Sequence, residues 1–270
     1  TSAPPVNPFS SICSFRGPKI LPIKAPRNQL LRCEGAATVP PFLVSKYLVS
    51  NFEYLDFVTS ETYSDPRWWS PSSAAPPLLP PRWKKNSLDR KKQEGAARKE
   101  DEILEDQYQL RTLLEEVEMR WDWPVEVTMG EATAFCRWKN EQLGYGDNGV
   151  SLISLLQWNV LSKKKSEAPA SNGRCNSSLR EFRSPCPVDL FGSPLCSSSS
   201  EKIYDVEGNV WQHCSDGQEQ QNDHSLVRLG SDSVLVGGSW ATVGRGESSK
   251  NKFRLSLGGI RYVVSSPPPE

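Results

Sequence analysis

Histidine is almost missing from this chain: His213 and His224 are the only two in 270 residues, and no C-x-x-C pair accompanies them. That scarcity argues against a Cys/His zinc site. No run of about 18 apolar residues occurs, which excludes a membrane-spanning helix. Excess charge of either sign is also lacking, since Lys plus Arg and Asp plus Glu both number 32. A balanced chain carries no overall field toward nucleic acid or an anionic membrane. The first residues are neither a clear secretory signal nor an initiator-Met start, so the chain reads as a fragment or a split gene product. Seven cysteines (13, 33, 136, 175, 186, 196 and 214) show no regular spacing. They read as thiols in a reducing, cytoplasmic compartment, or as a disulfide framework among Cys175, Cys186, Cys196 and Cys214.

What the chain does hold is nine Trp among 22 Pro, with only 37% hydrophobic residues. Trp fills core volume where long strands and helices are few, so the composition predicts an irregular, loop-rich globule. Residues 1–38 read as a poorly ordered lead-in. Phe42 to Val49 reads as a strand, and Ser50-Asn51 then offers an N-cap to a short helix bearing Leu55, Phe57 and Val58. The Pro/Ala/Ser and Lys/Arg-rich stretch near 71–100 reads as a low-complexity loop insertion. Its basic run invites a nucleic-acid reading, but the acidic run that follows favours a solvated surface loop.

In 101–118, Leu110, Leu113, Leu114 and Val117 fall at i, i+3, i+4 and i+7, which predicts a helix. Pro124 breaks it, and Val125 and Val127 flank Glu126 in a brief strand. Thr128 and Glu131 form a capping box, Gly144 is a C-terminal stop, and Cys136 falls on the buried face as packing. Ser154 and Gln157 form a second capping box. A second low-complexity insertion, mostly coil, is expected near 162–200. Short strands follow at Ile203 to Val206, Val210-Trp211, Val234 to Val236 and Ile260 to Val264, with 265–270 a tail. Gly208 is suited to a left-handed turn before Asn209, whose side chain can tie loops together. Gly237 and Gly238 permit close backbone approach, with Trp240 anchoring that loop in the core.

These blocks in this order resemble the formylglycine-generating-enzyme-like (sulfatase-modifying factor) family. They are Asn51-Phe-Glu-Tyr-Leu-Asp-Phe57, Pro124 to Trp138, an altered Leu152 to Trp158, Tyr204 to Trp211, Gly237 to Trp240 and Gly259-Ile-Arg261. The resemblance implies an α+β, C-type-lectin-like fold over 39–264. Within that family, Trp121-Asp-Trp-Pro-Val-Glu-Val127, Ser45 to Asn51, Asn209-Val-Trp-Gln212 and the closing Arg261-Tyr-Val resemble the central domain of the ovothiol-pathway 5-histidylcysteine sulfoxide synthases.

That resemblance implies an oxygen-dependent, non-haem iron enzyme joining cysteine sulfur to histidine imidazole. Its Fe(II) would be held by a separate helical domain, in cis or in trans. No H-x-x-x-H-x-E pattern occurs here, so this chain alone is not expected to bind iron tightly. His213 takes the place of the second Trp of the family's Trp-Gln/Glu-Trp motif, and His224 falls in a polar loop. By the same resemblance the loop after Trp240 faces substrate. Trp240, Arg245, Asn251 and Arg254 are then candidate substrate-binding residues, the guanidinium forks being suited to carboxylates. Trp121, Trp123, Asn209, Trp211, Gly237 and Gly238 are candidate structural residues, and no catalytic residue is assigned. A copper, sulfatase-activating role needs a cysteine pair after Gly237-Gly-Ser, and residues 241–261 contain none. The competing reading is a non-catalytic binding or structural module, favoured by the loss of acids from Leu152 to Trp158.

Overall fold

Tyr262 and Val264 face one apolar core while Val263, between them, faces another. Successive side chains of a strand point to opposite sides, so this short stretch divides the protein into two layers. The computed structural model describes residues 25–60, 63–69, 76–86, 107–145, 149–167, 175–179, 182–195, 201–215, 227–228, 234–242 and 257–264.

Four strands form the dividing sheet: β1 (Leu30–Cys33), β2 (Phe42–Ser45), β12 (Tyr262–Val264) and β6 (Val150–Leu152), in the order β1-β2-β12-β6. All its pairings are antiparallel, so β12, near the end of the chain, sits inside the sheet beside β2. Three small sheets surround it. One orders β3 (Trp83–Lys85), β4 (Tyr108–Arg111) and β5 (Glu116–Glu118). Another orders β10 (Val227–Arg228), β11 (Val234–Val236) and β9 (Gln212–Cys214). The last pairs β7 (Gly192–Pro194) with β8 (Lys202–Tyr204).

Helix α1 (Asn51–Thr59) starts where Ser50 Oγ accepts the Glu53 N–H at 3.1 Å. Helix α2 (Met129–Leu143) opens on a reciprocal capping box and closes on Gly144 at φ 68°. Both termini therefore satisfy orphan backbone groups. The helices meet through stacked Tyr54 and Phe135, 5.3 Å between centroids, and through Phe57 and Trp138 at 5.3 Å. Cys136 is buried there, and burial pushes its thiol pKa up, as a packing residue requires. Ser154 and Gln157 cap helix α3 (Leu155–Glu167) reciprocally, at 2.9 and 3.2 Å.

Several expectations are corrected. Residues 108–118 form the β4–β5 hairpin, not a helix. Leu110 is buried against the core, whereas Leu113 and Leu114 are 69% and 95% exposed at the turn. Within the lead-in, β1 is an edge strand; within the 71–100 insertion, β3 buries Trp83; within 162–200, α3 continues to Glu167 and β7 forms. The 42–49 strand stops at Ser45, and Val125–Val127 makes only one isolated bridge, through Val127 to Gly258, while Pro124 just before it bridges to Ser50. The strand expected at Val210-Trp211 begins instead at Gln212.

Candidate functional site

The turn after β8 gathers left-handed backbone: Asp205 at φ 50°, Gly208 at 81° and Asn209 at 62°. Gly208 is required, because a Cβ there would stand 2.6 Å from the Asn176 carbonyl oxygen. Asn tolerates a left-handed conformation better than most residues, and its carboxamide can bond locally.

The Asn209 side chain does tie loops together. Its Oδ1 accepts the Cys186 N–H at 2.9 Å, and its Nδ2 donates to the Cys186 carbonyl at 3.1 Å and to Asp205 Oδ2 at 3.0 Å. The Asn209 N–H reaches the Asn176 carbonyl at 2.8 Å, and its own carbonyl accepts the Trp240 N–H at 2.9 Å. One fully buried residue thereby joins four segments, around Asn176, Cys186, Asp205 and Trp240.

Loop 237–242 is fixed against this knot. Gly237, at φ 88°, accepts the Gly208 N–H at 2.7 Å, and a Cβ on it would meet Gln212 Nε2 at 2.9 Å. Ser239 and Thr242 close the loop on themselves, the Ser239 N–H donating to Thr242 Oγ1 at 2.9 Å. From outside, the N–H groups of Ser178 and Leu179 grip the carbonyls of Thr242 and Trp240, at 2.8 and 2.9 Å. No sequence signal marks that second clamp, because its residues are neither Gly nor Asn.

Beneath the knot, buried Gln212 donates to the carbonyls of Asp205 and Val206, at 2.9 and 3.0 Å, and accepts Arg261 Nε at 2.9 Å. Arg261 Nη1 donates to the Ser45 carbonyl at 2.8 Å, and Nη2 donates to the carbonyls of Tyr204 and Asp205. Burial pulls the Arg261 pKa down to about 10, opposed by the Asp205 carboxylate, so the guanidinium stays charged at neutral pH. This is a scaffold beneath a rim.

The rim itself carries indoles. Trp240 and Trp211 are half-buried, so Trp240 does not anchor the loop in the core as expected. Its backbone does the anchoring, and its ring is left partly open. Trp121 and Trp123 belong elsewhere, at the start of α1. Their carbonyls accept the N–H groups of Phe52 and Asn51, at 2.9 and 2.8 Å, and the Trp121 ring meets Trp83 at 5.7 Å. Asp122, between them, accepts the Val188 N–H on its carbonyl at 2.9 Å, and burial raises its carboxyl pKa.

His213 fills a structural slot. It is fully buried, its Nε2 lies 2.8 Å from the Val127 carbonyl, and its Nδ1 has no partner. Burial lowers its pKa, so a neutral ring with the proton on Nε2 fits this position. Among the described residues no group of three His, Cys, Asp or Glu side chains is placed to hold a metal ion, and no helix is long and apolar enough to cross a membrane. Arg245, Asn251, Arg254 and His224 lie outside the described residues. The structure thus brings Asn209, Trp211, Gly237, Gly238 and Trp240 together, and sets Trp121 and Trp123 apart.

A family model for the sulfatase-modifying factor enzyme 1-like domain matches residues 23–262. The small sheets, few short helices and long connections are those of the irregular α+β, C-type-lectin-like architecture expected from it. No curated protein matches the chain. Among solved structures, PvdO from Pseudomonas aeruginosa is 12% identical, with a TM-score of 0.49, covering 88% of this chain and 91% of that one.

Proposed function

We propose that this chain, which belongs to the sulfatase-modifying factor enzyme 1-like domain family, is the substrate-facing domain of an oxygen-dependent sulfoxide synthase that joins cysteine sulfur to histidine imidazole, as in ovothiol biosynthesis. In that reaction the thiol S–H and one imidazole C–H are broken and a C–S bond forms. Dioxygen takes the four electrons, leaving one oxygen on sulfur and one in water. The observation that carries the reading is the half-buried indole of Trp240, whose backbone is held by a fully buried scaffold on Asn209 and Arg261. Such preorganisation suits binding of a flat ring. Arg245, Asn251 and Arg254, which follow Trp240 in sequence, would pair with substrate carboxylates.

The donor set described here does not fit a catalytic Fe(II) centre. His213 commits Nε2 to Val127 and buries Nδ1, whereas such iron needs several imidazoles around open positions. The reading therefore assigns iron to a helical domain, in cis or in trans. The test is calorimetric titration of the full chain with L-histidine and L-cysteine under anaerobic, reducing conditions, beside an Fe(II) titration. Saturable amino-acid binding lost in Trp240→Ala, with no tight stoichiometric iron, supports the reading. No amino-acid binding, or tight iron uptake, overturns it.

A second reading, a non-catalytic module, draws on one observation. The segment Leu152 to Trp158 buries Leu152, Ile153, Leu155 and Trp158 as plain core and presents no acid. Cysteine–histidine sulfoxide formation on supplying an iron-bearing helical domain separates the two.

A further inference from the structure

We infer that Thr242 is a positioning residue for Trp240, its side-chain hydroxyl holding the geometry of the turn that aims the indole; this deepens the reading above and rests on Trp240 being the ligand contact. Trp240 and Ala241 are the central residues of a turn closed by the Thr242 N–H, which donates to the Ser239 carbonyl at 3.0 Å. The φ and ψ of the first central residue set the direction in which its side chain leaves the backbone, and the several turn types differ there while sharing that one main-chain bond. Something beyond the main-chain bond must select one of them.

The Thr242 side chain supplies it. Its Oγ1 accepts the Ser239 N–H at 2.9 Å and lies 3.1 Å from Ser239 Oγ, a hydroxyl pair in which either oxygen can donate. Ser239 Oγ in turn accepts the Ala241 N–H at 3.4 Å. The two ends of the turn are therefore joined through side chains as well as through the backbone, around Trp240 on one side and Ala241 on the other. The Thr242 methyl faces Gly238, where a Cβ would stand 3.5 Å from Cγ2. The turn is also fastened to the scaffold: the Thr242 carbonyl accepts the Ser178 N–H at 2.8 Å and Ser178 Oγ at 3.3 Å, while the Trp240 N–H and carbonyl bond to Asn209 and Leu179. With those points fixed, the hydroxyl of half-buried Thr242 holds the shape of the turn between them. A preorganised indole binds more tightly than one that must be ordered on binding.

The test uses the full chain, L-histidine as probe, calorimetric titration and thermal melting on Thr242→Val, Thr242→Ser and Trp240→Ala. Valine keeps the shape and the methyl contact of threonine and removes only the hydroxyl; serine keeps the hydroxyl. Thr242→Val should bind L-histidine about fivefold more weakly or worse, the loss of one ordinary hydrogen bond. Its melting temperature should stay within about 2 °C of the parent, because water can replace a half-buried hydroxyl in a surface turn. Thr242→Ser should bind like the parent, and that rescue is what a packing role would not produce. Parental affinity in Thr242→Val, with weakened binding in Trp240→Ala, overturns this inference and leaves the Trp240 reading standing. Equal weakening in the Val and Ser variants, or a loss of affinity that follows a lowered melting temperature, marks Thr242 as a packing residue and overturns it as well. Parental binding in Trp240→Ala, or none in the parent, removes the Trp240 reading and this inference with it.

Discussion

Arg261 and Gln212 meet in a fully buried hydrogen bond, Nε to Oε1 at 2.9 Å, between the residue that precedes the last strand of the main sheet and the first residue of β9. Through this contact the sheet that organises both cores is joined to the turn that carries Asn209. A buried guanidinium costs much to desolvate, and here its donors are spent on three backbone carbonyls and one carboxamide. The loops around Asn209 and Trp240 are thus held by polar, directional bonds where no regular element could reach.

Arg261→Met should destabilise the protein by about 3–5 kcal/mol, since it strands several buried acceptors at once. The urea midpoint would fall with little change in m. Arg261→Lys restores the charge but not the fork, and should recover only part of the loss. Parental stability in either variant would contradict the hub role.

Asn209 separates backbone from side-chain effects. Asn209→Ala loses the paired bonds to Cys186 and the bond to Asp205, and pays for φ 62°, so a loss of about 3 kcal/mol is expected. Asn209→Gly escapes the conformational penalty and should stand about 1 kcal/mol above it. Asn209→Asp would bring a second carboxylate to Asp205 and should be the least stable of the three. An ordering by melting temperature that places Asp above Ala would refute this account.

Glu53 and Lys139 test a buried ion pair. Lys139 Nζ lies 2.9 Å from Glu53 Oε1, with side-chain exposures of 17% and 3%, and Asn28 and Tyr262 also donate to the carboxylate, at 2.6 and 3.3 Å. Lys139→Met leaves a buried carboxylate short of its counter-charge, for a loss of about 3 kcal/mol. Adding Glu53→Gln should recover much of that loss. A double-mutant cycle with no coupling would show that the pair is incidental.

Local grammar made parts of this legible before the structure. Both capping boxes and the Gly144 stop depend on residues three to a few positions apart, and so does the Gly208-Asn209 turn. Long-range pairing was not legible. Leu110, Leu113, Leu114 and Val117 carry helical spacing, yet β4 is set by Trp83, which pairs with Leu110. Thr112 then turns the chain by accepting the N–H groups of Leu114 and Glu115, at 3.3 and 3.1 Å. β1 likewise exists because β2 offers an edge. At the rim, Asn209 and the glycines announced themselves by residue type. Ser178 and Leu179, which hold the same loop from outside, adopt a conformation that their side chains disfavour, so composition pointed away from them.

His213 gives the pH dependence its sign. Burial lowers its pKa below the ordinary 6.5, and the bond from Nε2 to Val127 only partly offsets this. The folded state therefore binds fewer protons than the unfolded state between the depressed folded value and about 6.5. Stability contributed by the neutral ring is complete above about 6.5 and falls as pH drops through that window, because Nδ1 would have to gain a proton with no acceptor in reach. Glu126 and Glu131 act in the opposite direction: burial raises both pKa values, so their contribution declines as pH rises through the carboxylate range. His213→Gln can keep a donor for the Val127 carbonyl and cannot titrate. Urea midpoints at pH 7 and pH 5 should differ more in the parent than in this variant. Equal differences would mean that the imidazole is not the group whose protonation loosens β9 from Val127 and Gly258.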